Sequence, residues 1–423
     1  MKHLFSNVEL EGNVLKHRPG SVLYSAALIA GTTIGAGILA VPAVTLPVGI
    51  VPSTVVMVGA WLYMVVSGLL IAEANLQAMQ KTGRADLGLL VTIQGSLGTK
   101  GAIASGIVYI FIHYALLVAY IARGGDILAA ALENFDDWLS WMQPIPLGWG
   151  HVAFAVLFGG VLYWGSERQV SWLNSALVSV VIVAFVGLVA LVVGQADFAS
   201  VEVQHWEQAI SVIPVMFVAF VYHNVVPVVT TQLEGNGEKV RRAIWLGALV
   251  PLVMFALWNG VILASAGQAV GALEGVDPIE LLRTGTAHPW LGIAVSVFSE
   301  FAIATSFIGF VLGLLSVFED IFSQRMVGDN LLGNNRKFFF YTLILLPPLL
   351  LSFLDPNIFY QAIDFSGAFG SSLLFGIVPA LMVWRLRESL FPSVPLVGGG
   401  KVLLVGMIAI STGVVVQNIL GYL

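Results

Sequence analysis

The sequence has no cysteine. That excludes disulfides, thiolate metal sites and cysteine nucleophiles. It is also poor in charge. Its 18 Lys and Arg and 24 Asp and Glu make up only 10% of 423 residues, where soluble domains carry about 25%. A water-facing surface cannot be built from so few charges, so most of this surface must face lipid. The composition is equally wrong for a disordered chain. A net charge of −6 leaves no basic footprint, which excludes a nucleic-acid partner. HExxH, GxSxG and P-loop patterns are absent, so the chain reads as a non-enzyme without a cofactor. No stretch shows the repeated polar stripe or charge ring of a channel.

What the chain has is apolar length, with 58% apolar residues. A membrane-spanning helix needs about 20 such residues in a row. Eleven stretches qualify: 21–43, 46–72, 101–129, 149–165, 170–194, 209–232, 241–266, 290–318, 338–354, 358–384 and 402–422. They are called spans 1 to 11 below. The alternation of a membrane barrel is absent, so the expected class is an all-α membrane bundle. With the N-terminus placed inside, every Lys and Arg except Arg123 and Arg283 falls on the cytoplasmic side. Trp138, Trp141, Trp149, Trp206 and Trp290 then mark the outer interface, and Trp164, Trp172, Trp245 and Trp384 the inner one. The first apolar run continues into the second instead of ending at a cleavage site, so it is not a signal peptide. Glu9 and Glu11 do not suit a transit peptide. The expected address is a bacterial cytoplasmic membrane, with the lipid bilayer as partner.

Two spans are interrupted at corresponding places. Span 1 contains Gly31-Thr32-Thr33-Ile34-Gly35-Ala36-Gly37 and then Pro42. Three glycines in so short a stretch weaken a helix. Span 6 contains Ala219-Phe220-Val221-Tyr222-His223-Asn224 and then Pro227. A His-Asn pair before a proline is costly in lipid unless it lines a cavity. Each break begins about ten residues into its span, and five spans separate the two. That pattern predicts an inverted five-plus-five repeat, with one unit at 21–194 and the other at 209–384. Residues 1–20 are then a cytoplasmic segment and 402–422 an added helix. Gly31 and Gly35 also fit a GxxxG packing motif, which explains close approach but not the matched break in span 6.

AGTTIGAGILAVP at 30–42 resembles the first-span motif of the aromatic amino acid permeases, the bacterial tyrosine and tryptophan permeases. YIARGGDIL at 120–128, IPVMFVAFVYHNVVPVV at 213–229 and FAIATSFIGFVLGL at 301–314 match in order. The resemblance runs from about residue 18 to 385. It implies the leucine-transporter-type fold of the amino acid–polyamine–organocation superfamily. It also implies eleven spans and uptake of aromatic amino acids, usually proton-coupled. The family's span-6 break often reads Phe-Gly-Phe-His-Gly, whereas this chain has Phe220-Val221-Tyr222-His223-Asn224.

A zwitterionic amino acid needs partners for both charges in an apolar medium. Unpaired N–H groups at a half-helix start favour a carboxylate. Gly35, Ala36 and Gly37 are the candidates. Thr32 and Thr33, with carbonyls near Phe217 and Phe220, are candidates for the ammonium. The side-chain pocket is expected from Phe217, Phe220, Tyr222, His223 and Asn224, from His113 and Tyr114 on span 3, and from Phe365 on span 10. Aromatic walls suit an aromatic ligand. Each of these residues also has an ordinary reading as helix packing or as a satisfied buried imidazole.

The coupling ion is read in two ways. Ala302, Thr305 and Ser306 share a face of span 8. With the carbonyls of Gly31 and Ile34 they resemble the sodium site of sodium-coupled superfamily members. Hard oxygen ligands suit a small cation. The alternative for Thr305 and Ser306 is bonding back to their own helix. A proton, the favoured ion, needs a titratable group, and Glu300 and Asp364 are the carboxylates well inside the membrane. Glu300 lies about 140° around the helix from Thr305, so it does not share that site. A structural Arg123–Glu300 ion pair competes with the proton role, and Asp126 competes for Arg123. The leading expectation is an ion-coupled symporter of an aromatic amino acid, tyrosine first. A sodium-coupled symporter and a non-transporting amino acid sensor are the alternatives.

Overall fold

In lipid, every backbone polar group must be bonded internally. The apolar stretches meet that demand as helices. A computed structural model describes residues 4–11, 14–17, 19–35, 37–85, 87–133, 148–193, 204–266, 289–325, 336–355, 357–389 and 395–421. The first helices are α1 (Val22–Thr33), α2 (Gly37–Thr45), α3 (Ile50–Thr82) and α4 (Leu89–Glu133). Next come α5 (Trp149–Trp164) and α6 (Glu167–Val193). A 3-10 turn (Trp206–Val212) leads into α7 (Ile213–Ala219), and α8 (Val226–Gln232) and α9 (Gly237–Ala266) follow. Then come α10 (Pro289–Arg325), α11 (Arg336–Leu351) and α12 (Ile358–Phe365). Residues Ser366–Ile377 wind as a π-helix into α13 (Val378–Arg387), and α14 (Gly400–Gly421) ends the described chain.

Among the described residues, eight rods are long and apolar enough to cross a membrane. The α1–α2 pair, bent by 55°, makes a ninth if counted as one span. The chain is therefore a multi-pass membrane protein. Spans 4 and 9 hold helices of only 16 residues each, shorter than the roughly 20 a perpendicular span requires.

Three features depart from the sequence expectation. The N-terminal segment is not purely helical. Val8–Glu11 and Val14–His17 pair as an antiparallel hairpin, Val8 opposite His17. Glu234, in the turn after α8, holds this segment. Its carbonyl accepts from Leu4 N–H at 2.8 Å, and its carboxylate accepts from Asn7 N–H at 2.8 Å. His17 Nε2 lies 2.6 Å from the same carboxylate. Two four-residue strands carry too little pattern to be read alone, and the turn supplies the surface they need.

The helix of span 2 runs ten residues past its expected end. Glu73, Asn75 and Gln77 look like a boundary in the sequence but are buried. Glu73 accepts from Arg387 Nε and Nη2, both at 2.8 Å, and from Leu396 N–H at 3.1 Å. Asn75 donates to Leu87 O at 3.0 Å and Thr92 Oγ1 at 2.7 Å, and accepts from Thr230. Buried polar groups so fully bonded no longer mark a membrane edge. Gly83, at φ 68°, ends the helix as a left-handed cap.

Helix α4 starts twelve residues before span 3. Gly98, at φ 76° and ψ 179°, separates this lead-in from the span itself. The packing then sets the frame. α1 lies on α9, α10 lies between α4 and α6, and the π-helical stretch contacts α7 and α14. Trp138, Trp141 and Arg283 lie outside the described residues.

Candidate functional site

The two interruptions are built differently. The α1 ladder closes with Ile34 N–H bonding Ala30 O at 3.0 Å, and Ile34 adopts an extended conformation. The chain re-enters a helix at Gly37, with Ile38 N–H bonding Gly35 O at 3.1 Å. The second interruption starts after Ala219. Phe220 N–H bonds Met216 O at 3.2 Å and Val221 N–H bonds Val218 O at 3.1 Å. A 3-10 turn, His223–Val225, leads into α8. Pro227 stands in the first turn of α8, where a missing N–H costs nothing. Trp206–Gln232 continues as one rod through this interruption, unlike the 55° bend at α1–α2.

The breaks meet face to face. Gly37 sits so close to Ala219 that a β-carbon there would lie 2.7 Å from the Ala219 Cα. Only hydrogen fits. Gly35 faces α10, and a β-carbon on it would lie 2.2 Å from Ser306 Oγ. Gly31 looks into open space.

That space is a cavity of about 740 Å³. Gly31, Thr32 and Ile34 line it from the first break, Val221, Asn224 and Val225 from the second, and Thr305, Ser306 and Phe310 from α10. Asn174 and Val178 of α6 line it as well. The cavity runs out to Glu319 near the end of α10 and Lys337 at the start of α11, both exposed. Lys337 donates to Tyr163 O and stands 5.1 Å from the Tyr163 ring centre. Tyr341 OH donates to Leu162 O at 2.8 Å.

The expected site residues divide sharply. Thr32 and Asn224 reach the cavity. Thr32 Oγ1 bonds back to Leu28 O at 2.7 Å, while Asn224 Oδ1 is buried without a partner. Thr33 bonds back to Ile29 O at 2.8 Å and is buried. Ala36 lies outside the described residues. Four aromatic or imidazole groups expected in the pocket wall point elsewhere. Phe217 stacks on Tyr63 with ring centres 4.8 Å apart, and Phe220 packs on Phe255 at 5.3 Å. Tyr222 donates to Met64 O at 3.2 Å. His223 is sandwiched between Tyr222 and Phe375 at 4.8 and 4.6 Å. The break turns these side chains toward α3, α9 and the π-helical stretch. From this segment only Val221, Asn224 and Val225 line the cavity.

His113 and Tyr114 are also displaced. His113 Nδ1 lies 2.8 Å from Tyr109 O, and its ring meets Phe310 at 4.8 Å, so Phe310 screens it from the cavity. Tyr114 OH donates to Leu343 O at 2.8 Å. Phe365 stacks along its own helix on Phe369 at 5.9 Å.

Four of the five expected sodium ligands, Gly31, Ile34, Thr305 and Ser306, line the cavity. Ala302 is buried behind them, and its carbonyl accepts from Thr305 Oγ1 at 3.0 Å. Tyr120 on α4 reaches Ser306 with its hydroxyl. The sequence reading missed Tyr120, Asn174 and Phe310. A lone amide inside an apolar run was the available signal for Asn174.

The carboxylates lie apart from this cavity. Glu300 Oε2 is buried without a hydrogen-bond partner. Among the described residues no ion pair joins Glu300 to Arg123. Arg123 instead stands over the Phe359 ring at 5.8 Å. Asp126 approaches His151 Nε2 at 3.2 Å. Asp364 accepts from Asn418 Nδ2 at 2.9 Å, in a second pocket lined by Ser211 and Gln417. Among the described residues no cluster of His, Asp or Glu is grouped to hold a metal ion.

A model of the tryptophan/tyrosine permease family matches residues 18–419. The chain is 30% identical over 406 residues to tyrosine-specific transport system 2 of Haemophilus influenzae, covering 93% of this chain and 95% of that one. It is also 30% identical over 421 residues to the tryptophan-specific transport protein of the same organism, covering 94% and 96%. The structure matches MhsT, solved in complex with L-phenylalanine, with a TM-score of 0.63 at 14% identity over 95% of this chain and 99% of that one. That likeness shows the fold, which is the leucine-transporter type.

Proposed function

The chain belongs to the tryptophan/tyrosine permease family, and from that premise we propose that it imports aromatic amino acids, tyrosine first, by ion-coupled symport. It is a transporter rather than an enzyme. In this reading all eleven apolar stretches span a bacterial cytoplasmic membrane, with the N-terminus inside. Spans 1–5 and 6–10 form inverted repeats, and span 11 is an addition.

One observation carries the reading. A cavity lined by residues of both helix interruptions extends to Glu319 and Lys337, at the end of α10 and the start of α11. Lys and Arg distribution puts that end in the cytoplasm. This supports a reading of the structure as an inward-open carrier in an alternating-access cycle. Differential affinity of ion and substrate for the two states would drive closure. The carboxylate is assigned to the first break, which reaches the cavity through Gly31, Thr32 and Ile34 while Gly35 and Gly37 pack beside it, and Asn224 offers its amide oxygen to the ammonium. A proton carried by Glu300 is the favoured coupling ion, because this carboxylate is buried and unbonded.

Sodium is the second reading. It is favoured by four oxygen-bearing positions that line the cavity, Gly31 and Ile34 from the first break and Thr305 and Ser306 from α10.

The test is uptake of labelled tyrosine into sealed proteoliposomes, with proton and sodium gradients imposed separately. Accumulation driven by the proton gradient alone is expected. Accumulation that requires sodium would move the coupling site to Thr305 and Ser306. Tyrosine binding without uptake under either gradient would overturn transport in favour of a sensor.

A further inference from the structure

The polar groups facing the large cavity are mostly already engaged. Thr32 and Thr305 bond to carbonyls of their own helices. Tyr341 and Lys337 bond to the end of α5. Two buried side-chain acceptors are left over. Asn174 Oδ1 on α6 and Asn224 Oδ1 at the second break are both buried, and neither has a hydrogen-bond partner. A buried amide oxygen without a donor is destabilising, and a ligand that brings a donor relieves it. The two amides come from different helices and face one space, so one ligand can meet both.

Their positions differ in kind. Asn224 lies at the second interruption, beside the half-helix ends that suit a zwitterion. Asn174 lies on a regular helix, one turn from Val178 and Val170, about 6 Å along the axis from each. Val170, Val178, Leu312 and Leu315 also line the cavity with apolar side chains. That end of the cavity suits a ring, and Asn174 is an unengaged acceptor set in its wall.

We propose that Asn174 reads the ring substituent of the substrate, accepting a hydrogen bond from a phenol O–H or an indole N–H while Asn224 holds the ammonium end. The assignment rests on the aromatic amino acid reading above. It makes Asn174 a specificity residue. Tyrosine and tryptophan carry a ring donor and phenylalanine does not. A site built to bond such a donor rejects the analogue lacking it, because its own acceptor stays unpaired.

The test is competition against labelled tyrosine on the purified full-length protein in lipid nanodiscs, with unlabelled tyrosine, tryptophan and phenylalanine. Phenylalanine is expected to compete about tenfold or more weakly than tyrosine. In Asn174→Leu the gap is expected to shrink to about threefold or less, mainly through weaker tyrosine binding, with phenylalanine held as before. Asn174→Ala serves as a second, smaller replacement. An unchanged tyrosine-to-phenylalanine ratio in either variant overturns the proposal. So does a wild-type protein that binds both equally. If both variants lose phenylalanine together with tyrosine, Asn174 supports the whole ligand rather than the ring, and the proposal also falls. Failure of the wild type to bind any of the three would instead overturn the aromatic amino acid reading itself.

Discussion

Gly37 and Ala219 touch backbone to backbone. A β-carbon on Gly37 would lie 2.7 Å from the Ala219 Cα and 3.0 Å from its Cβ. The two interrupted segments are thus locked together just after the first break and just before the second. Gly37→Val is expected to destabilise the protein by about 1–3 kcal/mol through overpacking and to abolish tyrosine binding. Gly59→Ala is the control, because nothing lies within 4 Å of the β-carbon it would add. Thermal unfolding of the purified variants, followed by ligand binding, checks the pair. Wild-type affinity in Gly37→Val would remove this residue from the carboxylate site.

Gly35 meets a different neighbour. The conflict there is with the Ser306 hydroxyl, which can rotate away. Gly35→Ala is therefore expected to leave stability nearly unchanged while displacing Ser306. If sodium couples transport, its half-saturating concentration should rise in Gly35→Ala and in Ser306→Ala alike. Uptake titrated against sodium reads this directly.

Glu300 carries the proton prediction. Glu300→Gln keeps the shape and removes the titration. Tyrosine binding is expected to persist, while accumulation driven by a pH gradient is lost. Wild-type pH dependence of uptake in this variant would exclude Glu300 from coupling and turn attention to Asp364.

The Glu73–Arg387 pair ties α3 to α13. Its side chains are 0% and 16% exposed. Removing one member leaves the other buried and uncompensated, a loss of about 3–5 kcal/mol. Glu73→Gln and Arg387→Met should each unfold earlier on heating. The double variant should cost less than the sum of the two, because the residues act as one unit. Additive losses would show that the pair is not the source of the stability.

Glu234 anchors the N-terminal hairpin at a strained position, with φ 57°. Glu234→Ala removes the acceptor for Asn7 and the partner of His17. Limited proteolysis is expected to release the N-terminal segment faster, with little change at the rest of the chain. An unchanged cleavage rate would mean that other contacts hold the hairpin.

Much of the architecture was legible because lipid is a demanding solvent. Among the described residues each of the eleven apolar stretches holds helix, and regular helix lapses after Thr33 and between Ala219 and His223. The expected pocket wall did not transfer. Phe217, Phe220, Tyr222 and His223 have the right chemistry, but their directions depend on how the helix before the break and the irregular segment after Ala219 sit against α3, α9 and the π-helical stretch. The expected end of span 2 was misplaced because Glu73, Asn75 and Gln77 look like a boundary. Glu73 and Asn75 find their partners at Arg387 and Thr230, more than 150 residues away.

The sequence alone determined that the chain lives in lipid, where its helices run and where they weaken, because backbone bonding and apolar length are local properties. The tertiary structure decided which side chains share a cavity. It turned Asn174 and Asn224 toward one space, hid His113 behind Phe310, left Glu300 unbonded and set the hairpin on Glu234. Such relations depend on helix rotation and packing between distant segments, and no local pattern encodes them.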